Sequence, residues 1–168
     1  MKYNLVILFI ATFLVISCSS DKEGGQQVTK TNASAIIGTW DATELRINND
    51  TASDDAKFGK QILDFLTDKE CYVVTLEFNE DLTATASNST SYIEVNATSS
   101  GLDIPCPTQA DTESSTYTFD GSVVSIVDTT GETIYVDVSI DGDIMIVDAT
   151  DLQIPNFTDS GELIFIKR

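Results

Sequence analysis

The side chains that most often carry out chemistry in proteins are unevenly supplied in this sequence. Histidine is absent from all 168 residues. That removes Ser-His-Asp triads, His-ligated zinc or haem, and the side chain best suited to act as a general base near neutral pH. Carboxylates are plentiful, with 27 Asp and Glu, so acid–base work by a carboxylate pair is chemically available. No pair stands out by spacing, however, and no nucleophile, base and oxyanion donors converge, so the chain is read as a non-enzyme. Asp137-x-Ser139-x-Asp141-Gly142, with Asp148 at the twelfth position, matches the spacing of an EF-hand calcium loop. Its context argues against that reading: Ile134, Val136, Val138 and Ile140 alternate as on a strand, and Asp141-Gly142 is a hairpin-turn pair. No metal site and no cofactor are expected.

The remaining reactive groups are three cysteines, Cys18, Cys71 and Cys106. For an exported chain, Cys71 and Cys106 would sit in a compartment that permits oxidation. A disulfide between them is the preferred reading; it would close a loop of about 36 residues and stabilise the fold by about 4 kcal/mol on the chain-entropy model. The alternatives are two separate thiols or, less favoured, a two-cysteine metal site.

Cys18 belongs to a different pattern. Met1-Lys2-Tyr3-Asn4 precedes an apolar run, Leu5 to Ile16, broken only by Thr12. One positive charge followed by a short hydrophobic stretch is the layout of an export signal, and the run is too short for the ~20 residues of a spanning helix. It ends in Val15-Ile16-Ser17-Cys18, which resembles the lipobox of bacterial lipoproteins. That resemblance implies a signal peptide over 1–17, cleavage before Cys18, and acylation of the Cys18 thiol. Several acyl chains on one residue give stable membrane attachment where a single chain does not. The polar, glycine-bearing stretch that follows reads as a lipidated flexible tether over 18–34. Asp21 is not adjacent to Cys18, so the inner-membrane retention signal is missing. Ser19, Ser20, Asp21 and Glu23, interrupted by Lys22, look like the short acidic signal that places some Gram-negative lipoproteins on the cell surface. The expected location is the outer membrane, at its periplasmic face or at the cell surface.

The mature chain, about 150 residues, suffices for one domain over 35–168. Losing Lys2 leaves eight basic residues against 27 acidic ones, a formal charge of −19. Such a chain is repelled by phosphate backbones and anionic headgroups, which argues against nucleic acid as a partner and leaves membrane attachment to the lipid. Acidity at this level is also what keeps exported domains soluble and apart.

From Ile36 onward the dominant signal is period-two alternation broken by turn residues. Tyr72, Val74, Leu76 and Phe78 share one face, as do Ile134, Val136, Val138 and Ile140. Asp120-Gly121, Gly131-Glu132, Asp141-Gly142 and Ser160-Gly161 punctuate the runs and favour hairpins. About eight strand segments are predicted: 37–47, 71–79, 82–88, 91–97, 115–120, 122–128, 132–140 with 143–149, and 162–167. The fold class is all-β with one short helix, as a sandwich or an up-and-down barrel; closure into a barrel removes exposed edges. The helix is expected within Ser53–Lys69, where Ala56, Ile62, Leu63, Phe65 and Leu66 follow helical spacing and Ser53 or Asp54 caps it. It serves either as a lid over a barrel mouth or, preferentially, as a plug filling apolar space. Thr98 to Ser114 reads as a long polar loop stiffened by Pro105 and Pro107.

Ile37-Gly38-Thr39-Trp40 at the first strand resembles the Gly-x-Trp signature of the lipocalin and calycin group. The terminal Leu163-Ile164-Phe165-Ile166-Lys167-Arg168 resembles that group's closing strand, whose basic residue stacks on the tryptophan. Gly38, Trp40 and Arg168 are accordingly taken as the fold signature. The whole is similar to the lipocalin-like domains of bacterial surface lipoproteins, which implies an antiparallel up-and-down barrel of about eight strands. The helix after the first strand departs from true lipocalins. The resemblance implies a non-catalytic binding module for a small apolar or amphipathic ligand, its cavity lined by residues such as Leu76, Phe78, Phe119 and Val136. Tyr72, Tyr92, Tyr117 and Tyr135 either line that cavity or form ordinary core and cross-strand pairs. The alternative is a packed barrel that binds a partner protein or a glycan through its loops, especially 98–114.

Overall fold

The computed structural model describes residues 34–99, 101–127, 130–152 and 159–168. The leader, Cys18 and the tether as far as residue 33 lie outside the described residues. Among these described residues, ten strands and one α-helix follow a helical turn at 34–36. In chain order they are β1 (Gly38–Ile47), α1 (Asp54–Thr67), β2 (Val74–Phe78), β3 (Thr83–Asn88), β4 (Asn96–Thr98), β5 (Gly101–Asp103), β6 (Asp111–Phe119), β7 (Val123–Val127), β8 (Thr133–Asp141), β9 (Ile144–Asp148) and β10 (Gly161–Lys167).

Eight of these strands close into an antiparallel barrel in the order β1-β10-β9-β8-β7-β6-β3-β2. Apart from the β4–β5 hairpin, each neighbour in the barrel is the next barrel strand in sequence, so the topology is the expected up-and-down one. Alternation sets the faces. On β8, Val136 and Val138 are buried and the residues between and beside them, Tyr135, Asp137 and Ser139, are exposed. The turns are held by carboxylates acting on nearby amides. Asp120 Oδ1 accepts from the backbone of Ser122 and Val123 at 2.9 and 2.8 Å, and Asp81 Oδ1 accepts from Thr83 N at 3.0 Å. The Thr83 hydroxyl also donates to Asp81 Oδ1, at 2.6 Å; this bond first and the amide second hold the Asp81 carboxyl below its ordinary pKa, as the Ser122 and Val123 amides do for Asp120.

Two expectations need correction here. Residues 91–97 do not form a barrel strand. Asn88 Oδ1 accepts from both the amide and the hydroxyl of Thr90, at 2.9 and 2.7 Å, turning the chain into a 3-10 helix over Thr90–Tyr92 immediately after β3. The count of eight is still reached, because the segment read as 132–140 with 143–149 is two barrel strands, β8 and β9. Nor is 98–114 one long loop: β4 and β5 pair as a separate hairpin, and β6 already begins at Asp111.

The segment after that hairpin is anchored. Cys71 and Cys106 are paired as a disulfide with Cα atoms 5.8 Å apart, Ile104 is buried, and Lys69 Nζ donates to the Ile104 carbonyl at 3.0 Å. Helix α1 starts as predicted, with Ser53 Oγ accepting from Ala56 N at 3.1 Å and Asp54 and Asp55 in the first turn. It packs against β1, and Ala56, Ile62, Leu63 and Leu66 are its buried residues. The apolar side of the helix is thus buried beside β1. No helix among the described residues is long and apolar enough to cross a membrane.

Candidate functional site

The register of the strands gives the barrel two distinct ends. Gly38 pairs with Phe78, Trp40 with Lys167, and Asp141 with Ile144, which places the start of β1, the ends of β2, β8 and β10, and the start of β9 at one end. Asn88 pairs with Asp111, Val127 with Thr133, and Asp148 with Glu162, and these mark the other.

The first end is a sealed base. Trp40 is fully buried, and its indole Nε1 donates to the Ile36 carbonyl at 2.6 Å, tying the helical turn at 34–36 under the barrel. Lys167 Nζ lies 5.0 Å from the centroid of the Trp40 ring and donates to the Ala35 carbonyl at 3.2 Å. A cation in this position contributes about 0.5–2 kcal/mol. The basic residue on the tryptophan is thus Lys167, not Arg168 as expected. Side chains alternate across a strand, so with Lys167 directed to Trp40, Arg168 reaches the outer side. There it donates to both oxygens of buried Asp41, at 2.8 and 2.6 Å, and sits over Tyr72. The Thr75 hydroxyl donates to Asp41 Oδ1 at 2.7 Å. The paired carboxylate raises the Arg168 pKa above its ordinary value. Gly38 has φ +132°, and a Cβ there would lie 2.6 Å from Lys167 Cε. The backbone conformation therefore requires glycine, and any Cβ would also push the Lys167 side chain aside.

Above the base lies a cavity of about 660 Å3, within the roughly 300–1,000 Å3 typical of small-molecule sites. Its wall is built by inward positions of six strands. Leu76 and Phe78 come from β2, Ala84 and Ala86 from β3, and Val124 and Ile126 from β7; β8 adds Ile134, Val136 and Val138, and β9 adds Met145 and Val147. On β6 the inward positions change character along the strand. Tyr117 is buried against Phe78, edge to face with ring centroids 5.0 Å apart. Glu113 and Asp111, toward the far end, line the cavity and are exposed. With Asn88, Ser91 and Asp151, they make a polar, acidic mouth over an apolar interior. Asp111 Oδ1 accepts from the Tyr92 hydroxyl at 2.7 Å, which raises the tyrosine pKa. Asp151 Oδ2 accepts from Asp137 N at 3.2 Å.

The wall is uneven beside β6. Its ladder to β7 consists of Tyr117↔Ile126, Thr118↔Ser125 and Phe119↔Val124. The stretch Asp111–Thr116 is paired with β7 by no rung of that ladder, although the Ser115 hydroxyl donates to the Val127 carbonyl.

Of the four residues expected in the cavity, Leu76, Phe78 and Val136 line it. Phe119 does not. It lies one inward step nearer the base than Tyr117 and is not among the residues that line the cavity. Of the four tyrosines only Tyr117 is buried; Tyr72 and Tyr135 are 39% and 66% exposed, and Tyr92 sits in the 3-10 turn. The tyrosines therefore do not form the cavity lining. The acids at the mouth were missed, although the signal for them was present: the inward phase Phe119, Tyr117, Ser115 continues in steps of two to Glu113 and Asp111. Asp137, Ser139, Asp141 and Asp148 fall on the β8–β9 hairpin, with Gly142 at φ +60° in its turn.

No family model matches the chain, and no curated protein matches it. Among solved structures it is similar to a lipocalin-like protein from Bacteroides uniformis, with 13% sequence identity and a TM-score of 0.41, over 80% of this chain and 99% of that one. The assignment as an all-β, closed, eight-stranded antiparallel barrel rests on the strand order and register of this chain itself.

Proposed function

We propose that this protein is a non-catalytic binding module, held at the outer membrane by acylated Cys18, whose barrel accommodates a small apolar or amphipathic molecule. The observation that carries the binding reading is the cavity of about 660 Å3, apolar inside and polar at one end. A solid core of the same strands would close-pack and leave few voids larger than a water molecule. The anchor is supported by the sequence alone, through the apolar run Leu5 to Ile16 and the Val15-Ile16-Ser17-Cys18 motif.

Native mass spectrometry of the protein isolated from its own host tests the cavity. An additional small-molecule mass on the wild type, absent from Ala86→Trp, is the expected result. Ala86 lines the cavity and is exposed, so an indole there obstructs it with little disturbance to the buried core. Identical spectra for the two proteins would count against the reading. The anchor is tested separately, by whether Cys18→Ala loses its partition with membranes.

A further inference from the structure

The cavity has a strongly one-sided charge. Three carboxylates, Asp111, Glu113 and Asp151, line it, and no basic side chain does so among the described residues. The described basic residues are all engaged away from the lining. Arg46 pairs with Glu44 and Glu162, and Lys60 with Asp64. Lys69 reaches the Ile104 carbonyl and the Phe65 ring, and Lys57 lies beside Asp159. Lys167 and Arg168 are bound at the base. Two of the acids, Asp111 and Glu113, are consecutive inward positions of β6, beyond Tyr117 and Ser115 on the same face. A ligand whose apolar body occupied the interior would bring its head to these carboxylates.

We propose that the ligand is a cationic amphiphile, an apolar body carrying a protonated amine or quaternary ammonium head that sits among Asp111, Glu113 and Asp151. This rests on the reading of the cavity as a binding site and adds the sign of the ligand's charge. The apolar wall formed by Leu76, Val124, Val136 and Val147 removes hydrocarbon from water. The carboxylates favour a positive head and repel an anionic one, with partial screening by salt because the mouth is open to solvent. Fatty acids and other anionic amphiphiles are thereby disfavoured even where their chains would fit.

The test is isothermal titration of the full 168-residue chain with three chain-matched probes below their micelle concentrations: decyltrimethylammonium, decanol and decanoate. The cationic probe is expected to bind at least tenfold more tightly than decanoate. That preference should shrink at high salt and disappear in the triple variant Asp111→Asn, Glu113→Gln, Asp151→Asn. Ala86→Trp should bind none of the three, separating the cavity from any association with the leader. Equal affinity for all probes, abolished by Ala86→Trp, would overturn the charge preference and leave the cavity reading standing. Absence of any Ala86→Trp-sensitive binding would overturn both.

Discussion

Arg168 clamps the carboxylate of Asp41, 127 residues earlier in the chain, with donors 2.6 and 2.8 Å from its two oxygens. Asp41 is 3% exposed while the Arg168 side chain is 62% exposed, so the pair joins a buried acid to a largely solvated base. Removing the arginine leaves the acid buried with Thr75 as its remaining side-chain donor. Hydrogen bonds to charged groups contribute about 1.5–3 kcal/mol, reduced here by the solvent around the guanidinium. Arg168→Ala is expected to lower stability by about 1–2 kcal/mol. Urea denaturation measures it, and an unchanged midpoint would refute the role of the pair.

Gly38→Ala should destabilise by about 1–3 kcal/mol, the usual cost of a side chain held in a sparsely populated backbone region. The same substitution displaces Lys167 from its position over Trp40. The near-ultraviolet circular dichroism of the single tryptophan should change together with the thermal midpoint.

The Cys71–Cys106 link contributes through the loop that it closes. Chain entropy for a loop of this length gives about 4 kcal/mol, and measured values for native disulfides run at about 2–5 kcal/mol. A Cys71→Ser, Cys106→Ser double variant should therefore unfold at distinctly lower denaturant. Reduction of the wild type should produce a shift of the same size, and a discrepancy between the two would mean that serine at these sites has its own cost.

The N-terminus of α1 should be pH-sensitive through Asp159. Its carboxylate accepts from Ser53 Oγ at 2.6 Å and from Ser53 N at 2.8 Å, bonds that hold its pKa below the ordinary value. A depressed folded-state pKa gives stabilisation that is complete above the unfolded value of about 3.9. It is lost as pH falls through the lower folded value. The stability difference between wild type and Asp159→Ala should be constant from pH 7 to 5 and close at more acidic pH. Taking the difference cancels the general relief of charge repulsion that acidification brings to so acidic a chain. A gap that persists at the acid end would show that the carboxylate's charge is not what holds the helix start.

The barrel was legible because its inner face is written in apolar residues at every second position. Ile134, Val136, Val138 and Ile140 specify the phase of β8 without help from any partner strand. The helix was legible through Ser53 and the spacing of Ala56, Ile62, Leu63 and Leu66. What failed were features decided by one side chain or by tertiary proximity. The chain after β3 has strand composition, yet Asn88 captures the Thr90 amide and hydroxyl and winds it into a turn. Arg168 and Lys167 are adjacent, and strand phase alone decides which of them meets Trp40; a one-residue error in phase exchanges their roles. The upper part of β6 carries no strand signal because its inward positions are carboxylates, and binary patterning has no expectation for an acid on the inner face at an open rim.

The contacts of the base also fix the end of the barrel at which the chain enters it. The helical turn at 34–36 and Lys167 meet at Trp40, so the chain enters the barrel at the pole opposite Asp111 and Glu113. For the anchoring proposed through Cys18, this puts the attachment and the opening at opposite ends of the barrel. An affinity handle added before residue 34 would for the same reason leave the rim unobstructed.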